Sequence, residues 1–276
     1  MNLLYTFVKK PFVGSYRIKW RSPLSEIEKQ EWQTLTVKSR SGGTIRGLFA
    51  QARAPQARAT LVLAHPMGKE AKGYFIKHGY TDILRANGYN TLVFDINGFG
   101  ESTNGSFSYH EDILAIGQVA RKLTPTLPLG YHGISLGAQW AIIAFTNDEH
   151  PFRFAILESA PATVEEFWIK FPAAYRMLRF LNVLLPRYAR KIKPVERIKE
   201  VKNLESILFI YSQTDDYTPV EMGERLKANS PVPAELWTVH EAPHAGIAKS
   251  SAKAAYTAKI IDYFNKAVSR HNQRML

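Results

Sequence analysis

The chain has 276 residues, no cysteine, 45% apolar and 22% charged side chains. This excludes a disordered, collagen-like or low-complexity chain, a disulfide scaffold, a cysteine-ligated zinc or iron–sulfur site and a thiol nucleophile. The net charge of +12 is uneven, with eleven Lys/Arg against three Asp/Glu in residues 1–60 and seven against two in residues 187–203; such patches favour anionic partners, but no zinc-finger, homeodomain or RNA-binding signature accompanies them, so no nucleic acid is expected.

Residues 1–30 read as a basic and apolar extension. The apolar run 3–8 stops at Lys9-Lys10, well short of a bilayer span, and it lacks the flanks of a signal peptide. The expectation is a cytoplasmic protein, with an anionic membrane surface as a partner that the basic amino-terminal region could engage. Residues 31–276 read as one domain. Residues 32–38 and 44–50 are β-rich runs joined by Ser41-Gly42-Gly43, a hairpin signal. Strands follow at 60–64, 91–96, 128–134, 152–157, 206–211 and 235–239. Helical patterns fill 76–85, 108–123, 138–145 and 252–264. Strands that alternate with helices and carry apolar residues on both faces predict an α/β fold: a doubly wound, mostly parallel eight-stranded sheet with an antiparallel amino-terminal hairpin. About fifty residues separate the strands at 152–157 and 206–211, far more than a crossover needs. The aromatic helical stretch at about 164–203 reads as a small helical lid insertion.

Gly133-Ile134-Ser135-Leu136-Gly137 is a G-x-S-x-G pentapeptide. Alone it is a weak signal. Here a β run leads in and an apolar helix leads out, the strand–turn–helix setting of a nucleophile elbow. The turn forces Ser135 into a strained conformation, and side chains two residues either side would clash. A serine hydroxyl needs a base, and the base needs an acid to hold its tautomer. Both should follow in the order acid, then histidine. Asp215-Asp216 and His244 each lie just after a strand. Asp215 is preferred to Asp216 because it falls in the turn directly after its strand. His244, in a loop beside Gly246, is preferred to His240 at the strand end. His78, His110, His150 and His271 read as bystanders. An oxyanion hole would take the backbone N–H of Leu136 and a second from the loop His65-Pro66-Met67-Gly68-Lys69. Pro66 has no N–H, which leaves Met67. His65 reads as a residue that shapes this loop.

These motifs resemble the α/β-hydrolase superfamily, in particular its small serine esterase, lysophospholipase-like and serine-aminopeptidase-like branch. The resemblance spans residues 31–269: HPMGK as the oxyanion loop, FDINGFGES as the D-x-R-G-x-G-x-S segment, GISLG as the elbow, and the Asp215 and His244 loops. Two positions depart from the pattern. His-Pro stands where His-Gly is usual, and Asn97 stands where an arginine is usual, which puts the packing around it in question. The resemblance implies acyl transfer to water through Ser135, His244 and Asp215, with no metal or organic cofactor. Phe167, Trp168, Phe171 and Tyr217, with Met67, are candidate lining residues, and an aromatic wall suits an apolar acyl group. A small-molecule carboxylic ester is the favoured substrate. A thioesterase, an aminopeptidase-type amidase and a catalytically silent ligand-binding protein remain open alternatives.

Overall fold

A computed structural model of the chain describes residues 20–275. The apolar run 3–8 and Lys9-Lys10 lie outside the described residues. Helix α1 (Glu26–Lys29) forms because Ser25 and Glu28 cap it reciprocally: the Ser25 hydroxyl accepts from the Glu28 N–H, and the Glu28 carboxylate accepts from the Ser25 N–H. Its sequence is too short to register as a periodic helix.

Eight strands form one sheet in the order β1-β2-β4-β3-β5-β6-β7-β8. They are β1 (Trp32–Lys38), β2 (Thr44–Ala50), β3 (Ala59–Ala64), β4 (Tyr89–Phe94), β5 (Leu129–Ile134), β6 (Phe152–Glu158), β7 (Ser206–Ser212) and β8 (Ala234–Val239). The chain divides into two compact units, one running to His132 and taking in the residues from Val268, the other Gly133–Ala267.

In the first unit, β1 and β2 pair antiparallel from Trp32 opposite Ala50 to Lys38 opposite Thr44. The turn between them is closed by Gly42, whose positive φ of 88° suits glycine. β2 pairs antiparallel with β4, and β3 pairs parallel with β4. Every residue of β3 and β4 is buried, as their continuous apolar and β-branched runs require of strands covered on both faces. The sequence pattern over 76–85 predicts one helix. The structure has two, α2 (Gly73–Lys77) and α3 (Tyr80–Ala86), because Gly79 adopts φ 79° between them. A left-handed residue ends the helical ladder, and a glycine inside a periodic pattern does not announce which way it will turn. Helix α4 (Tyr109–Leu123) leads to β5.

The segment after β3 is anchored by charge at Lys72. Lys72 and Asp95 are both buried; the Lys72 ammonium lies 2.6 Å from Asp95 and 2.6 Å from Glu101. The Lys72 N–H donates to the same Asp95 carboxylate at 2.8 Å, as does the Glu101 N–H at 2.9 Å. Gly100 is obligatory here, since a Cβ would fall 2.4 Å from that carboxylate. The Trp20 ring covers the ammonium at 4.2 Å. Lys72→Met is expected to destabilise the protein by about 3–5 kcal/mol, because it strands a buried carboxylate. Lys72→Met combined with Asp95→Asn should recover part of the loss, which urea unfolding of the two variants measures. Asn97 stands where an arginine is usual, and its side chain bonds the surrounding loop directly. Its amide donates to Asp112 at 2.7 Å and to the Ser106 carbonyl at 3.2 Å, and its carbonyl accepts from the Gly105 N–H at 3.0 Å.

In the second unit, β6, β7 and β8 run parallel. β7 is wholly buried, while β8, last in the order, is mostly half-exposed, as an edge strand is. Helix α5 (Leu136–Ala144) is buried on every residue, which its uninterrupted apolar sequence demands. Between β6 and β7 lie α6 (Val164–Phe167), α7 (Pro172–Leu184), α8 (Pro186–Lys191) and α9 (Pro194–Arg197). The last three each begin on a proline, whose missing N–H costs nothing in a first turn. Helix α10 (Val220–Ala228) follows β7, and α11 (Lys253–Met275) closes the chain. The amphipathic pattern predicts an end at 264, but the helix continues, with Ala267 and Val268 still buried. Among the described residues no helix is long and apolar enough to cross a membrane.

Candidate active site

The site begins with the sharp passage from β5 into α5. Ser135 sits between them with φ 50° and ψ −107°, a strained conformation for a residue with a side chain. It is held by main-chain bonds, its N–H donating to the Glu158 carbonyl at 2.8 Å and its carbonyl accepting from the Gln139 N–H at 2.8 Å. A Cβ on Gly133 would lie 2.7 Å from the backbone of Gly137 and Ala138, so only glycine fits. Ser135 precedes the helix but makes no side-chain cap. Its hydroxyl is directed instead at His244, with Oγ 2.8 Å from Nε2. Leu136 opens the helix directly after Ser135, so the positive end of the helix dipole lies beside the hydroxyl.

His244 lies in the loop after β8. That loop turns at Ala245, with φ 50°, and at Gly246, where a Cβ would meet the Pro243 ring at 2.6 Å. The His244 Nδ1 is 2.8 Å from Asp215 Oδ2. A ring that donates from Nδ1 to this carboxylate keeps its Nε2 lone pair for the serine proton. Asp215, almost fully buried, follows β7 and is fixed by three further donors. The Tyr217 and Thr218 N–H groups reach Oδ1 at 2.9 and 3.1 Å, and the Thr218 hydroxyl reaches Oδ2 at 2.7 Å. Burial pushes the Asp215 carboxyl up. The hydrogen bond and charge of His244 and the Thr218 bonds outweigh it and hold the group below the ordinary carboxylate range.

The neighbouring Asp216 is exposed and pairs with Lys170 at 2.6 Å. His240 is exposed and bonds Gln213 at 3.0 Å. The structure thus brings Ser135, His244 and Asp215 together and leaves the two alternatives outside. Thr218 was not singled out from the sequence. It braces Asp215 and lies 3.3 Å from His244 Nδ1; its position one residue before Pro219 was the available signal. Glu158, whose carbonyl anchors Ser135, has its carboxylate bonded by the Tyr256 hydroxyl.

The aromatic residues gather on the histidine. The Phe167 ring lies 5.5 Å from His244 and 5.5 Å from Tyr217, and Tyr217 lies 5.4 Å from His244. Trp168 packs on Phe167 at 5.5 Å, and the exposed Phe171 packs on Trp168 at 5.4 Å. Helix α6 is tied down by Glu166, which receives both arms of Arg225 at 3.0 and 2.6 Å. In the first unit, Met67 is half-buried in the loop after β3. His65 shapes that loop: its Nε2 accepts from the Ile96 N–H at 3.1 Å and its Nδ1 donates to the Pro66 carbonyl at 2.8 Å. Burial pushes the His65 ring down, consistent with a neutral ring that accepts on one nitrogen and donates from the other. Among the described residues no group of three His, Asp or Glu is placed to hold a metal ion.

The sequence profile of the family described as serine aminopeptidase, S33, matches residues 55–245, more than half of the chain. The chain belongs to this family. An uncharacterized protein of Bacillus subtilis (strain 168), YqkD, is 28% identical to this S33 member over 236 residues, 79% of this chain and 75% of its own. Among solved structures, the Pyrococcus furiosus esterase Pf2001 superposes with a TM-score of 0.70 at 16% identity, covering 91% of this chain and 97% of its own. Est1E of Butyrivibrio proteoclasticus gives 0.64 at 14% identity, with coverage of 86% and 99%. Pyrococcus horikoshii acylaminoacyl peptidase gives 0.63 at 16%, covering 85% of this chain and 41% of its own. At such identities the structures speak for the fold alone, which is the α/β-hydrolase fold. The family makes the chain a serine hydrolase.

Proposed function

We propose that the chain cleaves carboxylic esters with an apolar acyl group, with Ser135 as nucleophile, His244 as general base and then acid, and Asp215 orienting the histidine. The observation that carries this reading is the continuous line of 2.8 Å bonds from Ser135 through His244 to Asp215, bordered by Phe167 and Tyr217. His244 takes the hydroxyl proton as Oγ attacks the carbonyl carbon. The oxyanion is held by the Leu136 N–H and, as the motif order implies, that of Met67. The proton passes from His244 to the leaving alcohol, and water repeats the sequence on the acyl-enzyme, releasing the acid and restoring Ser135.

The family description favours a second reading, an amidase acting at a free amino terminus. Such a substrate carries an ammonium group that needs a carboxylate. Glu166 and Asp216, on the elements that carry the aromatic cluster, are already engaged by Arg225 and Lys170, while Glu165 on α6 stands outside these two pairs. The two engaged carboxylates and the aromatic rings together support an uncharged, apolar group against the cluster, and Glu165→Gln, which should leave ester turnover unchanged, checks the remaining carboxylate.

A series of p-nitrophenyl esters from acetate to palmitate, run beside aminoacyl p-nitroanilides, tests the choice. The expected result is ester turnover with kcat/KM that rises with acyl length to an optimum and exceeds that for every anilide. Faster cleavage of an aminoacyl anilide would replace the ester reading with the amidase one. A chain that turns over neither substrate and resists a fluorophosphonate would be a silent binding protein.

A further inference from the structure

The insertion carries a surface that the chemistry at Ser135 does not use. Helix α7 has no buried residue. Met177, Phe180 and Leu184 recur at helical spacing and so share one face. Val183 borders them, and all four are exposed, Phe180 by 62% and Val183 by 78%. Arg176 and Arg179 stand on the same exposed side of the helix. Helix α8 continues the positive charge with exposed Arg187 and Arg190. From residue 167 to residue 195 the chain holds seven Lys/Arg and no Asp/Glu. Among the described residues no carboxylate pairs with these four arginines, whereas Lys170 and Arg225 nearby do have carboxylate partners.

We propose that this face of α7, with the start of α8, docks the protein on an anionic phospholipid surface. Two features select that occupant. A convex helix with an apolar stripe and flanking arginines matches a layer that is apolar inside and negative at its boundary, because the apolar groups enter the acyl region while the guanidinium groups stay with the phosphates. An uninterrupted run of cations is also the pattern that an anionic leaflet attracts, each charge adding to the attraction within a Debye length of the surface. The docked face lies next to the aromatic cluster, since α7 starts directly after Phe171, which packs through Trp168 and Phe167 onto His244. Docking itself does not depend on the ester reading, and it uses residues distinct from the basic segment 1–30.

Cosedimentation of the full chain with phosphatidylglycerol–phosphatidylcholine vesicles, and with phosphatidylcholine alone, tests it. The chain is expected to sediment with the anionic vesicles at low salt, to be released as salt rises, and to ignore the neutral ones. Phe180→Glu, Val183→Glu and Leu184→Glu together should weaken binding by about tenfold or more, and Arg176→Glu with Arg179→Glu likewise. Both variants should keep the native melting curve and hydrolysis of a short soluble ester. If the triple variant fails to fold, Val183→Glu alone, at the most exposed of the four positions, serves in its place. Three results would overturn the proposal. One is no binding to anionic vesicles at low salt. Another is binding by both variants at the native level, which would assign the lipid contact elsewhere, residues 1–30 included. The third is a solution dimer that the triple variant converts to monomer with lipid binding unchanged, which would make a second copy of the chain the occupant.

Discussion

Ser135→Ala is expected to lower kcat for ester hydrolysis by at least about 10³-fold, and KM far less, while leaving the melting temperature close to that of the native chain. Removing the nucleophile of a serine triad costs up to about 10⁶ in kcat, and the residue of activity comes from the remaining oxyanion donors and from binding. The fold should tolerate the change for a specific reason. The Ser135 hydroxyl caps no helix, and the residue's strained backbone is held by its own N–H and carbonyl, both kept by alanine. Labelling by a fluorophosphonate should vanish in the same variant. A Ser135→Ala protein as active as the native chain would remove the nucleophile from this serine, and with it the roles of His244 and Asp215. Loss of activity with a collapsed melting curve would make Ser135 a structural residue instead.

The parts of this molecule that were legible in its sequence are those where one local constraint leaves one solution. The elbow is such a place. Gly133 is needed because its missing Cβ would meet backbone at 2.7 Å, so the spacing of glycines around Ser135 is itself a record of the turn. Buried parallel strands are legible for a similar reason: runs such as TLVLA and SILFIY have no polar face, and β3 and β7 are buried along their whole length. Where several outcomes cost nearly the same, the sequence was silent. Gly79 could have stayed in a helix at a cost of about 1 kcal/mol, yet it turns left-handed and makes two helices of one. The carboxyl-terminal helix ran past its predicted end because polar residues at 265–266 interrupt the pattern without interrupting the buried face. Contacts made by short polar side chains were the least visible. Thr218 on Asp215 and Asn97 on Asp112 depend on loop geometry that no periodicity encodes. The apolar stripe of α7 is a further case. The sequence reads it only as part of a helical lid insertion, and the fold is what shows Met177, Phe180, Val183 and Leu184 exposed.

Asp215→Asn separates the two adjacent aspartates most sharply, with kcat for ester hydrolysis expected to fall by about 10⁴-fold. The asparagine amide can take the carboxylate's place beside His244 Nδ1 as a donor. The ring is then pressed toward the tautomer that carries its proton on Nε2, the atom that must receive the proton of Ser135. The positive charge that develops on the ring also loses its partner. Asp216→Asn should change kcat by less than about twofold, since that carboxylate is exposed and its pair with Lys170 is of the kind worth about 0–1 kcal/mol. The two variants should also differ in how stability depends on pH. Asp215 is held below the ordinary carboxylate range in the folded protein. Its contribution to stability is therefore complete above the unfolded-state value of about 4 and is lost as pH falls through the lower folded-state value. The gap in stability between the native chain and Asp215→Asn should be widest near neutral pH and should narrow below about pH 4. Urea midpoints at pH 7 and pH 3 measure it. A gap that stays constant between those values would mean that the Asp215 carboxylate gains nothing from His244 and Thr218 on folding. An Asp215→Asn protein with native kcat would mean that His244 is oriented by some other group, Thr218 being the one already within 3.3 Å of its Nδ1.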